Sequence, residues 1–414
     1  MAMSFASSDM VLPAFIQTMT ASSVLVGLSS AIIRIGWSWP QVFISRIVES
    51  RSRKMPLLLT VGYLRSLAWF AIAALTFLIG GSHPALFLTC FLLLYAFSTS
   101  MMGISNVPFM DIVGKAIPSA TRARVIAMRR LVGGAMAMLA GVVISYVLSE
   151  RSGLSFPRDY GVLFILSGIG TTLSIYIFGK IPEPIEPVRK TRQALGAYLK
   201  GGLGIVKEDA NFRLLCGVQV QMAFCQMALP FYVPYAISEL RVGPVYVGVF
   251  VAVLQLSSLL SNVMWARVGQ RKGNRALIVY GSYFLLFTTI ASLLTIYVPD
   301  VRITPLAFLG FPGAVSIRVA FFALTFVFTG FGISGLFTGR MTYVLDIAPP
   351  DRRPTYTSFL NVFMLPQGLL PLVAGSLVSW ISYWNVFLIT LLFSVPLVLS
   401  VQRLEDLRPK EDRA

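Results

Sequence analysis

The sequence predicts an all-α membrane protein of twelve spans, built as two pseudo-symmetric six-helix bundles with the first helix truncated at its N-terminus. Three observations carry this. First, 56% of the 414 residues are hydrophobic and only 12% are charged, against about 25% charged in a soluble domain. Second, apolar runs of about twenty residues recur along the whole chain, each long enough to cross a ~30 Å hydrocarbon core. Third, the two halves repeat. Pro13, Val26 and Gly27 recur 221 residues on as Pro234, Val247 and Gly248, and five of the fifteen positions from Pro13 to Gly27 are identical at that offset. The register runs on into a basic turn, where Arg51 meets Lys272 and Lys54 meets Arg275.

Lipid satisfies no backbone hydrogen bond, so these runs are helices; their length and lack of alternation argue against a barrel. The first half places spans at Met1–Ile16, Val24–Ile44, Leu57–Gly80, Ala85–Ile104, Leu131–Leu148 and Val162–Phe178. The second places them at Leu214–Ala236, Val245–Val268, Leu277–Ile296, Val319–Phe337, Ser358–Ser379 and Val386–Val401. The repeat partner of span one starts near Leu214, which maps before Met1. The chain is therefore expected to lack the inner half of its first helix, the alternative being a genuine half-helix. The domain expectation is an N-terminal bundle over 1–180, a central loop over 181–212, a C-terminal bundle over 213–402 and a tail over 403–414. Within the polar segment Gly179–Arg213, the stretch Ala194–Val206 suits a short helix on the inner membrane surface.

The net charge of +17 does not indicate nucleic acid, because the basic residues sit in loops at alternate ends of the spans. With both termini cytoplasmic, the inner segments hold twenty-four Lys and Arg and the outer loops five, namely Arg151, Arg158, Arg241, Arg302 and Arg318. That bias sets the orientation and points to the cell membrane. The N-terminus has no basic n-region of a signal peptide and carries Asp9 within its apolar stretch. Cys90, Cys216 and Cys225 all lie in apolar runs. Their spacing matches neither a disulfide framework nor a metal site, so buried packing is expected and no cofactor or metal is implied. No Gly-x-x-x-x-Gly-Lys-Ser/Thr phosphate loop occurs, which disfavours a primary pump. No cluster of Asp, Glu, His or Cys at one depth suggests an enzyme. His83 falls in a short outer loop.

Two basic turns carry a motif. After span two the chain reads Ser45-Arg-Ile-Val-Glu49-Ser-Arg51-Ser-Arg53-Lys54, and after span eight Ala266-Arg-Val-Gly-Gln270-Arg271-Lys272-Gly273-Asn274-Arg275. Both resemble the cytoplasmic signature between helices two and three, and eight and nine, of the major facilitator superfamily: a Gly, an Asp four later, a basic residue, then a Gly and two basic residues. Ser45 and Ala266 replace the first Gly, Glu49 and Gln270 replace the Asp, and Ser52 replaces the second Gly in the first copy. A second pair, Pro118 with Arg122 and Pro349 with Arg353, follows spans four and ten at an offset of 231. The second half thus carries about ten extra residues, placed most simply in the outer loop Tyr297–Ile317. The plain reading of the basic turns is anchoring on the inner side. The resemblance adds a conformational-switch role for Glu49, Arg53, Lys54, Gln270, Arg271, Gly273, Arg275, Arg122 and Arg353, with Glu49 and Arg53 as the pair similar to the family's inter-helix contact. Two departures oppose a drug–proton antiporter: span four lacks an Arg, and span five has Gly133, Gly134 and Gly141 but no Gly-Pro. Gly133, Ala137 and Gly141 form a small-residue stripe suited to a close helix contact.

Charges within hydrocarbon are costly and face the bundle interior. At ~1.5 Å per residue, Asp9 and Arg34 both fall near mid-membrane on neighbouring spans, so an Asp9–Arg34 ion pair facing the cavity is expected. Gln255 occupies the repeat position of Arg34. Arg65 is placed to snorkel inward, and Arg129, Arg130 and Arg340 to anchor at the inner interface. The resemblance implies that helices one, four, seven and ten line the cavity. On them stand Ser98, Met102, Ser105 and Asn106, then Gln219, Met222 and Gln226, then Thr325 and Thr329. Such walls suit a small amphipathic organic solute. The resemblance implies a monomeric secondary transporter working by alternating access. Asp9 is the one deep carboxylate available to a coupling proton, and a neighbouring Arg opposes that use. An uncoupled facilitator and a non-transporting lipid or ligand sensor stay open as alternatives.

Overall fold

The computed structural model describes residues 2–49, 52–117, 119–183, 204–303, 315–349 and 352–406. The chain folds into two compact units. Unit 1 comprises Met1–Arg192 with Gly243–Ala252, and unit 2 comprises Gln193–Val242 with Val253–Ala414. Both are helical. A two-residue antiparallel pairing, β1 (Arg302–Ile303) with β2 (Val315–Ser316), closes an outer loop. Eight helical stretches are long and apolar enough to cross a bilayer among the described residues. Large apolar side chains point outward, with Leu78 75%, Leu93 67% and Trp380 85% exposed. In water these would form sticky patches; against lipid they are the expected surface.

Unit 1 runs through α1 (Ala2–Phe5), α2 (Val11–Thr20), α3 (Ser23–Glu49), α4 (Met55–Ile79), α5 (Pro84–Ala116), α6 (Ser119–Val147) and α7 (Arg158–Phe178). Helix α4 packs on α5 and α7, and α3 packs on α5. The α3–α5 contact is close because glycines face it. A Cβ on Gly103 would stand 2.6 Å from the Trp37 carbonyl oxygen, and one on Gly36 would strike Thr99. Phe15 lies at the centre of the unit's aromatic core, 5.8 Å from Phe87, 5.5 Å from Phe91, 5.0 Å from Tyr160 and 5.4 Å from Phe164 between ring centres.

Unit 2 holds α8 (Ala210–Cys225), α9 (Tyr232–Ser238), most of α10 (Val245–Leu294), α11 (Ile317–Ile347), α12 (Arg353–Val362), α13 (Leu365–Ile381) and α14 (Tyr383–Gln402). Asp209 caps α8 by accepting from the Phe212 amide at 2.9 Å, and its other oxygen accepts from the Tyr356 hydroxyl at 3.0 Å. Burial and the Asp209 carboxylate push that phenol up to about 12, so it is a neutral donor throughout the physiological range. Gly273 divides α10 at φ 76°, ψ 172°, a conformation that favours glycine. The signature's second glycine is therefore used here as a backbone corner between the eighth and ninth predicted spans.

Helices outrun the apolar runs that announced them. Predicted to end near Ile104, α5 continues to Ala116; α6 starts at Ser119 rather than near Leu131; α11 reaches Ile347 rather than Phe337. Hydropathy marks where a helix leaves lipid, not where its hydrogen bonding stops. Of the predicted surface helix at Ala194–Val206, residues 204–206 are described and are helical, while 194–203 and residues 304–314 of the loop predicted to hold the insertion lie outside the described residues.

The small-residue stripe on α6 is only partly a contact. A Cβ on Gly141 would stand 2.7 Å from the Ala252 amide nitrogen, and one on Gly248 would collide with Ser145 and the Gly141 carbonyl. Ser145 Oγ donates to the Val245 carbonyl at 3.0 Å across the same seam. Gly133, by contrast, faces open space. We expect Gly248→Val to destabilise the protein by ~1–3 kcal/mol through overpacking, and Gly133→Ala to be neutral or stabilising by up to ~1 kcal/mol. Thermal melts in detergent compare the two.

Candidate functional site

Both units break their first helix at the same point of the repeat. In unit 1 the break separates α1 from α2 over residues 6–10; in unit 2 it separates α8 from α9 and contains a short 3-10 turn, Leu229–Phe231. A proline stands beside each break. A proline lacks an N–H and its ring clashes with the carbonyl four residues earlier. Pro13 thereby frees the Asp9 carbonyl, and Pro230 frees that of Gln226. The Leu12 amide reaches back to the Ser7 carbonyl at 2.9 Å, and the Leu229 amide to Gln226 at 3.2 Å.

Each break presents a polar side chain to a second helix. In unit 1, Asp9 Oδ1 lies 3.3 Å from Arg34 Nη2 on α3. The pair is partly accessible, at 20% for the Arg34 side chain and 38% for Asp9. Ser30 Oγ donates to the Ser8 carbonyl at 2.8 Å, which ties α3 to the break a turn away. In unit 2, Gln226 Oε1 accepts from Gln367 Nε2 of α13 at 2.6 Å. One turn pair deeper on α8, Gln219 Oε1 accepts from Arg340 Nη1 of α11 at 2.6 Å. Gln219 and Gln226 are seven residues apart and share a face, so α8 carries two polar rungs.

The remaining candidates scatter more. Ser98 is buried, while Met102, Ser105 and Asn106 are half-buried along α5; Ser105 Oγ donates to the carbonyls of Met101 and Met102 on its own helix at 3.0 Å each. Thr325 and Thr329 are fully buried inside unit 2, where Thr329 Oγ1 donates to the Thr325 carbonyl at 2.6 Å and reaches Thr288 at 3.5 Å. Met222 is buried and Gln255 half-buried.

Polar contacts also hold the helix ends near the two basic turns. The side chains of Glu49, Arg122 and Arg353 lie outside the described residues, and Arg53 is exposed. Lys54 Nζ forms an ion pair with Asp111 Oδ2 at 2.6 Å, joining α4 to α5. Glu183 accepts from the Lys54 and Met55 amides at 2.7 and 2.9 Å, capping α4. In unit 2, Gln270 and Arg271 are exposed. Asn274 Nδ2 donates to Asp346 Oδ2 at 2.7 Å, and Arg275 Nη2 donates to the Gln402 carbonyl at 2.6 Å.

Arg340 requires a correction. Instead of anchoring at the interface it is 2% exposed, because α11 continues beyond it to Ile347. The partners of Gln367, Asp111 and Glu183 also escaped the sequence reading, since they come from distant segments.

The sequence profile of the Major Facilitator Superfamily matches residues 1–325. The chain belongs to the major facilitator superfamily. No curated protein sequence matches it. Solved structures of the superfamily share its fold at low identity. A bacterial homologue of the iron transporter ferroportin in its inward-facing state is 12% identical, with a TM-score of 0.71 over 97% of this chain and 96% of that one. The nucleoside transporter NupG is 11% identical, with 0.67 over 97% and 96%. The xylose transporter XylE from E. coli in an inward-open conformation is 13% identical, with 0.64 over 96% and 93%. The superfamily membership makes this an integral membrane protein of transporter type.

Removing one member of the Asp9–Arg34 pair leaves an unpaired charge in an apolar setting. We expect Asp9→Asn and Arg34→Gln each to cost about 1–3 kcal/mol, below the ~3–5 kcal/mol of fully buried pairs because this one is partly accessible. The double variant should cost less than the sum of the two. Fluorescence-detected size-exclusion melting of the four proteins measures the coupling.

Proposed function

We propose that the chain is a secondary transporter that moves a small organic solute across the cell membrane by alternating access, with twelve spans and both termini cytoplasmic. One observation carries this reading: each unit breaks its first helix at the same repeat position and offers a partnered polar side chain there. Discontinuous helices at mid-membrane are a common way for transporters to expose polar groups to a substrate. The proposed substrate pathway takes Asp9, Arg34, Ser98, Met102, Ser105, Asn106, Gln219, Gln226, Gln255, Thr325 and Thr329. Reconstitution into proteoliposomes tests the function. A panel of sugars, nucleosides, amino acids, organic anions and lipophilic cations would be offered with and without a proton gradient, and counterflow of one class is the expected result. Binding without flux under any gradient would instead mark a ligand sensor.

A facilitator without ion coupling is a second reading, favoured by the engagement of the one deep carboxylate, Asp9, with Arg34. Flux that ignores an imposed proton gradient identifies it; flux that follows the gradient and is lost in Asp9→Asn identifies proton coupling.

The Lys54–Asp111 pair is proposed as the inner conformational lock of unit 1. Conformational couplings of this kind amount to ~1–3 kcal/mol. Lys54→Gln and Asp111→Asn should therefore slow flux on the order of tenfold while solute affinity in detergent changes little. Parallel flux and binding titrations separate these effects.

A further inference from the structure

Arg340 is a buried cation with no partner of opposite charge among the described residues. It lies on α11 seven residues before the helix ends at Ile347, about 10 Å from that end. One of its five N–H donors is used: Nη1 donates to Gln219 Oε1 at 2.6 Å. Its guanidinium carbon sits 5.5 Å from the centre of the Phe337 ring. Nε is enclosed and makes no hydrogen bond. No carboxylate lies within 4.0 Å of its nitrogens among the described residues, where the ion pairs are Arg34–Asp9 and Lys54–Asp111. Arg34, the other arginine deep in a bundle with a free Nε, has a carboxylate of its own.

An unpaired charge in a low-dielectric interior is costly, and a glutamine and an aromatic face offset only part of that cost. Sites that carry such a defect trade stability for function. The geometry of the defect is specific. With Nη1 held by Gln219, the Nε–Nη2 edge of the planar guanidinium is left without a hydrogen bond. That edge presents two parallel N–H donors, the fork that a carboxylate, sulfonate or phosphate accepts in bidentate fashion. The second rung of α8, Gln226 with Gln367, adds neutral amide groups further along the same face, suited to uncharged polar groups on the rest of a solute.

We propose that Arg340, oriented by Gln219, is the recognition site for the anionic head of the transported solute, which is a small organic anion. The proposal rests on the transporter reading, because the guanidinium is enclosed and becomes reachable only when α8 and α11 part during a transport cycle. Bidentate binding to Arg340 supplies the head-group contact, and the charge of the solute neutralises the cation that the empty protein leaves unpaired.

The test uses the full chain in detergent and in liposomes. Its probes are benzoate, phenyl phosphate, citrate and benzenesulfonate, each beside an uncharged amide or alcohol of similar shape. Thermal melts are recorded for the wild type, Arg340→Lys and Arg340→Gln. We expect at least one anion to stabilise the wild type while its neutral counterpart does not. The lysine variant, which keeps the charge but loses the fork, should bind roughly tenfold to a hundredfold more weakly; the glutamine variant should not respond. Ligand-free Arg340→Gln should melt no lower than the wild type, since the substitution removes a charge that had no counter-ion. A wild type that responds to no anion, or an Arg340→Gln that retains the response or melts well below the wild type without ligand, overturns the proposal and makes Arg340 a structural residue. The liposome assay separates the two levels of inference. Counterflow of a neutral or cationic solute undisturbed by Arg340→Gln sinks the anion site and keeps transport. Anion binding that depends on Arg340 without flux in any gradient keeps the site and sinks transport.

Discussion

A backbone carbonyl released from its helix inside hydrocarbon has no water to turn to. That constraint governs both units. Pro13 and Pro230 each deny a partner to a carbonyl one turn earlier, and beside each of them the chain breaks, turns and restarts. The breaks are tolerated because local groups absorb them. Short backward bonds from Leu12 and Leu229 take up carbonyls, and Ser30 reaches across from α3 to the Ser8 oxygen. The restarted segments are then pinned by aromatic packing. Phe15 holds α2 in unit 1, while Tyr232 and Tyr235 of α9 meet Phe322 and Phe387 in unit 2.

Once the helix is broken, polar side chains become affordable at that depth. Asp9 and Gln226 stand at the two breaks, and each is satisfied by a side chain from another helix of its own unit, Arg34 or Gln367. The two units solve the same backbone problem with different chemistry: an ion pair in one, an amide pair in the other. The second unit then places a cation, Arg340, one rung deeper with only a neutral acceptor. The two units thus differ where side chains meet, while their breaks lie at matching positions of the sequence repeat.

How much of this was legible in the sequence depends on the length scale of the signal. Apolar runs located the helices long and apolar enough to cross a bilayer, because burial in lipid is a property of composition. The repeat register was visible because Pro13, Val26 and Gly27 recur at one offset as Pro234, Val247 and Gly248. Asp9 and Arg34 were paired correctly from depth alone, since they lie on spans adjacent in sequence. Arg340 was misplaced because α11 stays helical for ten residues after its apolar run ends, which turns an apparent end into an interior. Lys54 was recognised as part of a basic turn, but its bond to Asp111 joins the start of α4 to the inner end of α5, a contact that no local pattern encodes. The degenerate acidic position of the second motif, Gln270, is exposed, and the acid at that inner end, Asp346, comes from α11.

Glu183 joins the far end of unit 1 to its middle. Its carboxylate seats on the first two amides of α4, 129 and 128 positions earlier in the chain. Those amides belong to the part of a helix that ordinarily has no internal acceptor. Their exchange with deuterated solvent is therefore governed by one side chain. Lys54 and Met55 exchange slowly while the carboxylate is seated and quickly once it lifts. Deuterium exchange at these two amides thereby reports, in the unlabelled protein, whether the Glu183 carboxylate is seated at the start of α4.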